Sequence, residues 1–106
     1  MNNRITNILV VDDDPVMRLL AHEILEQDGF AVREADNGQE ALRQFAATGA
    51  DLILLDVIMP GWDGFATCRR LRQAPAGERT PIVMMTGLDD AESIQCAYDV
   101  GATDFI

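Results

Sequence analysis

The amino-acid sequence predicts an α/β domain built on a parallel sheet, and two observations carry that reading. Short apolar runs alternate with segments of helical period, and the alternation repeats four times. The apolar runs show almost no polar alternation, as expected for strands covered on both faces. The length agrees, because 106 residues, 48% of them hydrophobic and 25% charged, suffice for one ordered domain with its own core.

Ile8-Leu9-Val10-Val11 is the first strand. Asp14 offers a side-chain oxygen at the next helix's N-cap, and Pro15 suits its first position. Met17, Leu20, Ala21, Ile24 and Leu25 recur at i, i+3, i+4, i+7 and i+8 as one apolar stripe, closed by Gly29 as C-cap. Phe30 to Ala35 is a weaker second strand, expected at an edge because Arg33 and Glu34 interrupt it. Asn37-Gly38 opens a helix with Ala41, Leu42, Phe45 and Ala46 inward, stopped by Gly49. Leu52 to Leu55 is the third strand and ends abruptly at Asp56. A turn-rich loop, Met59 to Gly64, leads into a helix from Phe65 to Gln73. After the polar loop Ala74 to Thr80, Pro81 to Met85 reads as a fourth strand. Asp89 and Glu92 have capping-box spacing before a helix ending at Gly101, and Asp104-Phe105-Ile106 begins a fifth strand.

Composition narrows the function. No apolar run approaches the ~20 residues of a membrane span, and the first residues lack the apolar core of a secretory signal, so a cytoplasmic protein is expected. A net charge of −10 repels phosphate backbones and anionic lipid, which argues against nucleic-acid or membrane binding by this segment. All eight basic residues are arginines. There is no Gly-x-Gly-x-x-Gly and no Gly-Lys-Ser/Thr phosphate loop. Cys68 and Cys96 fit no metal pattern and read as reduced core residues.

In open α/β sheets ligands bind beyond the carboxyl ends of the strands. Strand one ends in Asp12-Asp13-Asp14, strand three in Asp56, strand four in Thr86-Gly87. If strands one and three are neighbours, carboxylates converge beside a hydroxyl, an arrangement costly without a cation or proton among them. Oxygen-only ligands favour a hard ion such as Mg2+, and no histidine or thiol is placed to compete. Such a cation would neutralise an incoming phosphoryl group, one of whose oxygens Thr86 could bind. Other acids have simpler readings: Asp14 as a cap, Asp36, Asp51 and Asp63 as turn or loop residues, Asp89 and Asp90 as caps. Trp62 reads as a loop residue. His22 reads as a surface or boundary residue with no carboxylate partner, and Arg69, Arg70 and Arg72 as a solvated helix face.

Leu9-Val10-Val11-Asp12-Asp13-Asp14-Pro15, Leu54-Leu55-Asp56-Val57-Ile58-Met59-Pro60-Gly61-Trp62-Asp63-Gly64, Met85-Thr86-Gly87 and Gly101-Ala102-Thr103-Asp104-Phe105 together resemble the response-regulator receiver domain of two-component signalling. The resemblance runs through the whole chain, so residues 1–106 are expected to be a receiver domain, with any output domain beyond residue 106. It implies a flavodoxin-like, doubly wound, parallel five-stranded sheet of order 2-1-3-4-5 that lacks the last helix. It implies that Asp56 accepts the phosphoryl group from a phosphohistidine on a sensor histidine kinase or phosphotransfer protein. Asp13 would ligate Mg2+ directly and Asp12 mostly through water, with Asp56 and the backbone carbonyl of Ile58 as further ligands. Thr86 would bind a phosphoryl oxygen and swing inward, Gly87 would leave room for the group, and Phe105 would follow Thr86. The face around the fourth helix and fifth strand, with Ile94 and Phe105, would relay the change to an output domain or downstream protein.

The resemblance also implies a lysine at the end of strand five. It would lie beyond Ile106, so the sequence is expected to be a fragment, with the first helix's side of the sheet partly uncovered and open to homodimerisation. The domain is expected to be no enzyme beyond self-catalysed phosphotransfer and dephosphorylation. A haloacid-dehalogenase-type phosphohydrolase needs a second aspartate where Ile58 stands. A degenerate receiver acting only as an interaction module remains the alternative. So does a regulatory domain of a cyclic-di-GMP synthesis or degradation enzyme, whose receivers resemble this chain over Ile94 to Ile106. Ile58 and Leu88 occupy the two positions that influence acyl-phosphate hydrolysis in the family, and both are apolar. A polar pair there is expected to shorten the phosphorylated lifetime, followed by intact mass over time; a longer lifetime would overturn the idea.

Overall fold

The computed structural model describes residues 4–85 and 91–106. The alternation becomes β1 (Asn7–Val11), α1 (Pro15–Gln27), β2 (Ala31–Ala35), α2 (Gly38–Thr48), β3 (Leu52–Asp56), α3 (Gly64–Gln73), β4 (Ile82–Met85), α4 (Ala91–Asp99) and β5 (Asp104–Phe105). All strand pairs are parallel, in the expected order β2-β1-β3-β4-β5, with four helices among the described residues. Element ends differ from the sequence reading by a residue or two. Helix α1 is capped at Asp28, with Gly29 just beyond it at φ +93°, and α4 stops at Asp99, short of Gly101.

The element starts follow from their caps. Asp14 accepts a hydrogen bond from the Val16 N–H at 2.9 Å, and Asn37 accepts one from the Glu40 N–H at 2.8 Å. Asp63, expected as a loop residue, caps α3 by accepting from the Ala66 N–H at 2.8 Å. Asp51, also expected in a turn, joins two strands. One of its oxygens accepts from the backbone N–H groups of Thr6 and Asn7 and from both their side chains, at 2.9 to 3.0 Å. These bonds hold its carboxyl below the usual carboxylate range.

The two faces of the sheet are covered unequally. Leu9 and Val11 of β1, Ile53 and Leu55 of β3, and Ile82 and Met84 of β4 form the core with Phe45 of α2 and Cys68 and Leu71 of α3. Burial alternates along β3 and β4 although every residue of β4 and all but the last of β3 are apolar. The alternation exists because the opposite face is only partly roofed by α1. That helix buries none of its residues, and Met17, Leu20 and Ile24 of the expected stripe are about half exposed, lining a groove with Met85 and Ile106. The uncovered patch matches expectation, whereas the expectation of strands covered on both faces holds fully only for β1. In α2, Ala41 and Phe45 are buried and Leu42 half-buried, but Ala46 is exposed, standing about 100° round the helix from Phe45. Cys68 is buried and Cys96 half-buried, both as free thiols.

Polar ties the sequence reading missed fasten the helices. His22 does have carboxylate partners: its Nε2 lies 3.0 Å from Glu26 and its Nδ1 2.7 Å from Glu34, contacts that raise its pKa. Arg72 is no solvated residue, for it donates to the carbonyls of Gly101, Gly77 and Thr80 and to Thr103 Oγ1, pinning the loops around β4 and β5. Equal truncations should therefore have unequal costs. Leu71→Ala is expected to cost about 2–5 kcal/mol and Leu20→Ala less than about 1 kcal/mol, read from urea midpoints.

Candidate functional site

Asp12 and Asp56 meet because of register. Val11 pairs with Leu55 across β1 and β3, so the residues that follow them, Asp12 and Asp56, stand side by side at the carboxyl edge. Asp13 joins them, and carboxylate oxygens of Asp12, Asp13 and Asp56 all lie within 4.8 Å of one another. Asp12 is buried, Asp56 half-buried and Asp13 exposed, so the cluster is open on one side.

Its backbone is closely held. The Asp12 N–H donates to Ala35 at 3.1 Å, its carbonyl accepts from Arg18 Nη1 at 2.8 Å, and its Oδ1 accepts from the Asp14 N–H at 3.0 Å. Among the described residues, the Asp56 carboxylate has less help from the backbone, a long bond of 3.4 Å from the Ile58 N–H. Burial, followed by the charge and hydrogen bond of Asp12, pushes the Asp56 carboxyl up to about 6. The donor set is all oxygen, clustered and open to solvent, and fits Mg2+.

The loop after Asp56 is built to stay against the site. Val57 and Met59 are buried and Ile58 between them is 76% exposed, beside the acids at the mouth of the groove. Gly61 turns the chain at φ +76°. Gly64 is needed for a different reason. A Cβ there would lie 2.5 Å from the Asp56 carbonyl oxygen and 2.6 Å from Val57 Cα, while the Gly64 N–H donates to the Val57 carbonyl at 2.8 Å. The start of α3 therefore rests directly on the backbone of the nucleophile candidate. Sequence reading placed Gly64 in a turn but not in this contact; its position after the N-cap Asp63 was the available signal.

Of the other expected residues, Phe105 is half-buried on β5 and meets Tyr98 of α4 edge to face, with ring centroids 5.8 Å apart. Ile94 is half-buried on α4. Thr86, Gly87 and Leu88, with Asp89 and Asp90, lie outside the described residues. Trp62 is a half-buried loop residue as expected, with the Arg70 guanidinium 4.7 Å from its ring centroid.

Known proteins resemble this arrangement. A family model described as the response regulator receiver domain matches residues 8–106. The transcriptional regulatory protein ResD of Bacillus subtilis is 41% identical over 101 residues, 95% of this chain and 41% of that protein. Chemotaxis protein CheY4 of Vibrio cholerae matches with a TM-score of 0.93 at 32% identity, over 97% of this chain and 86% of that one. Response regulator protein TrrA of Thermotoga maritima, solved in complex with Mg(2+)-BeF, matches with a TM-score of 0.84 at 32% identity, over 95% and 84%. The chain spans about two fifths of the length of the first curated relatives it matches.

The raised Asp56 carboxyl has a consequence for stability. The native state holds this proton more tightly than the unfolded chain, so the stability it brings is full below the ordinary carboxylate range and lost as pH rises through about 6. Asp56→Asn should then raise the thermal midpoint of the metal-free protein at pH 8, with a gain that shrinks as pH falls through 6 toward 4. Calorimetry across that range checks the sign.

Proposed function

The chain belongs to the response regulator receiver domain family, and from that premise we propose that Asp56 accepts a phosphoryl group from the phosphohistidine of a sensor histidine kinase or phosphotransfer protein, in a Mg2+-dependent reaction. The observation that carries this reading is the convergence of the Asp12, Asp13 and Asp56 carboxylates. An Asp56 oxygen attacks phosphorus, the new P–O bond forms as the donor's N–P bond breaks, and the electron pair returns to the imidazole. Asp12, Asp13, Asp56 and the Ile58 carbonyl would hold the ion, which would supply charge to offset the phosphoryl oxygens. The packing of Gly64 on the Asp56 carbonyl keeps the nucleophile's backbone in place during transfer. Thr86 and Gly87 take the roles of phosphoryl contact and clearance on the strength of the motif Met85-Thr86-Gly87. Ile58, exposed at the mouth, hinders attacking water, with Leu88 as its partner in that role.

The output face is that of α4 and β5, where the Tyr98–Phe105 contact ties the two elements and Ile94 stands nearby. Residues 1–106 serve as the receiver unit, and self-catalysed transfer and hydrolysis are its only chemistry. The chain's span of its relatives supports an output region elsewhere in a longer protein. ResD is named a transcriptional regulatory protein, which favours control of transcription over the cyclic-di-GMP reading. Nothing described favours a pure interaction module. No helix among the described residues is long and apolar enough to cross a membrane; a cytoplasmic location fits the kinase partner, and the net charge of −10 argues against direct nucleic-acid contact by this segment.

The test is Mg2+ titration followed through Trp62 fluorescence, then acetyl phosphate with intact-mass detection, in wild type and Asp56→Asn. Saturable binding and addition of one phosphoryl group that Asp56→Asn abolishes are expected; equal phosphorylation of the variant would overturn the assignment. Mg2+ affinity should also fall as pH drops through about 6, because the ion then competes with the Asp56 proton.

A further inference from the structure

We propose that Arg18 is a positioning residue for the Mg2+ site: anchored by Glu34, its guanidinium holds the Asp12 backbone so that the Asp12 carboxylate stays beside Asp56 and Asp13. The proposal rests on reading the acidic cluster as that site. Arg18 Nη1 donates to the Asp12 carbonyl at 2.8 Å, while Nε donates to Glu34 Oε1 at 3.0 Å. Two directed donors on one planar group reach two acceptors on different elements, a task suited to arginine. Glu34 is itself held, because its other oxygen lies 2.7 Å from His22 Nδ1. It sits on β2 opposite Val10, just ahead of Ala35, whose carbonyl accepts the Asp12 N–H. The Asp12 peptide groups are thus secured on both sides, one by β2 and one by α1.

Apolar packing gives this part of the helix little support, for Val16, Met17, Leu19 and Leu20 around Arg18 are all exposed. Helix α1 buries none of its residues, so the Arg18–Glu34–His22 chain is a principal fastening between this helix and β2. If it loosens, the segment carrying Asp12 and Asp13 is free to shift relative to Asp56.

Charge and position make opposite predictions for this residue. A guanidinium close to a cation site repels the cation, so charge alone predicts that removing Arg18 tightens Mg2+ binding. Positioning predicts the reverse.

The experiment measures Mg2+ dissociation constants by calorimetric titration of the 106-residue wild type, Arg18→Met and Arg18→Lys, with metal-free thermal midpoints alongside. Arg18→Met is expected to weaken binding on the order of tenfold, as loss of a ligand's supporting partner does. Arg18→Lys should fall between it and wild type, since one ammonium must replace two directed donors. A merely structural role would lower the midpoint and leave the affinity of the folded variant unchanged. Unchanged or tighter binding by Arg18→Met overturns the proposal. If that variant does not fold, wild-type affinity in Arg18→Lys overturns it instead. Absence of saturable Mg2+ binding in wild type would overturn the metal reading itself, and the positioning role with it, a result distinct from the other two.

Discussion

Three carboxylates held within 4.8 Å of one another repel, and much of this molecule can be understood as the means of holding them there. The parallel sheet does the first part, ending two neighbouring strands at the same level. Hydrogen bonds to the Asp12 backbone and the resting of α3 on Asp56 do the second, removing the freedom by which the acids would move apart. Asp56 then relieves the remaining repulsion by keeping its proton to unusually high pH. A fold selected for stability alone would not collect these charges; their clustering is a local conflict of the kind found at functional sites.

The site lies on the seam between two unlike halves. Beneath it on one side is a closed core in which Phe45, Leu71, Met84 and their neighbours are almost wholly buried. On the other side α1 is fastened by ion pairs and caps rather than by interior packing. Elements with few buried apolar contacts open at lower free energy than the core.

Most of the architecture was legible because it depends on local pattern. Four alternations of apolar run and helical period, with caps at Asp14 and Asn37, are enough to place the elements, and the charged residues in β2 mark an edge. The acidic trio was legible because strand ends are where such sheets bind ligands. What escaped was long-range and polar. His22 meets Glu34 twelve residues away, Arg72 reaches Gly101 and Thr103, and Asp51 reaches back to Thr6, pairings that no periodicity announces. Gly64 was visible as a turn residue, but its close approach to the Asp56 backbone exists only once α3 has packed. The α1 stripe was legible as well, both as an apolar helical face and as one left partly uncovered.

The clamp of Asp51 on Thr6 and Asn7 lies at the opposite end of the sheet from the acids, yet it sets where they meet. Asp12 follows Asn7 by the same number of residues as Asp56 follows Asp51. The two strands are thus equal arms measured from a common origin. A single inserted or deleted residue in one arm would displace its carboxylate by about 3.3 Å and turn the rest of that strand onto the wrong face. Side chains along β1 and β3 can be exchanged for others of similar shape, but the count of residues in each arm cannot change without separating the pair.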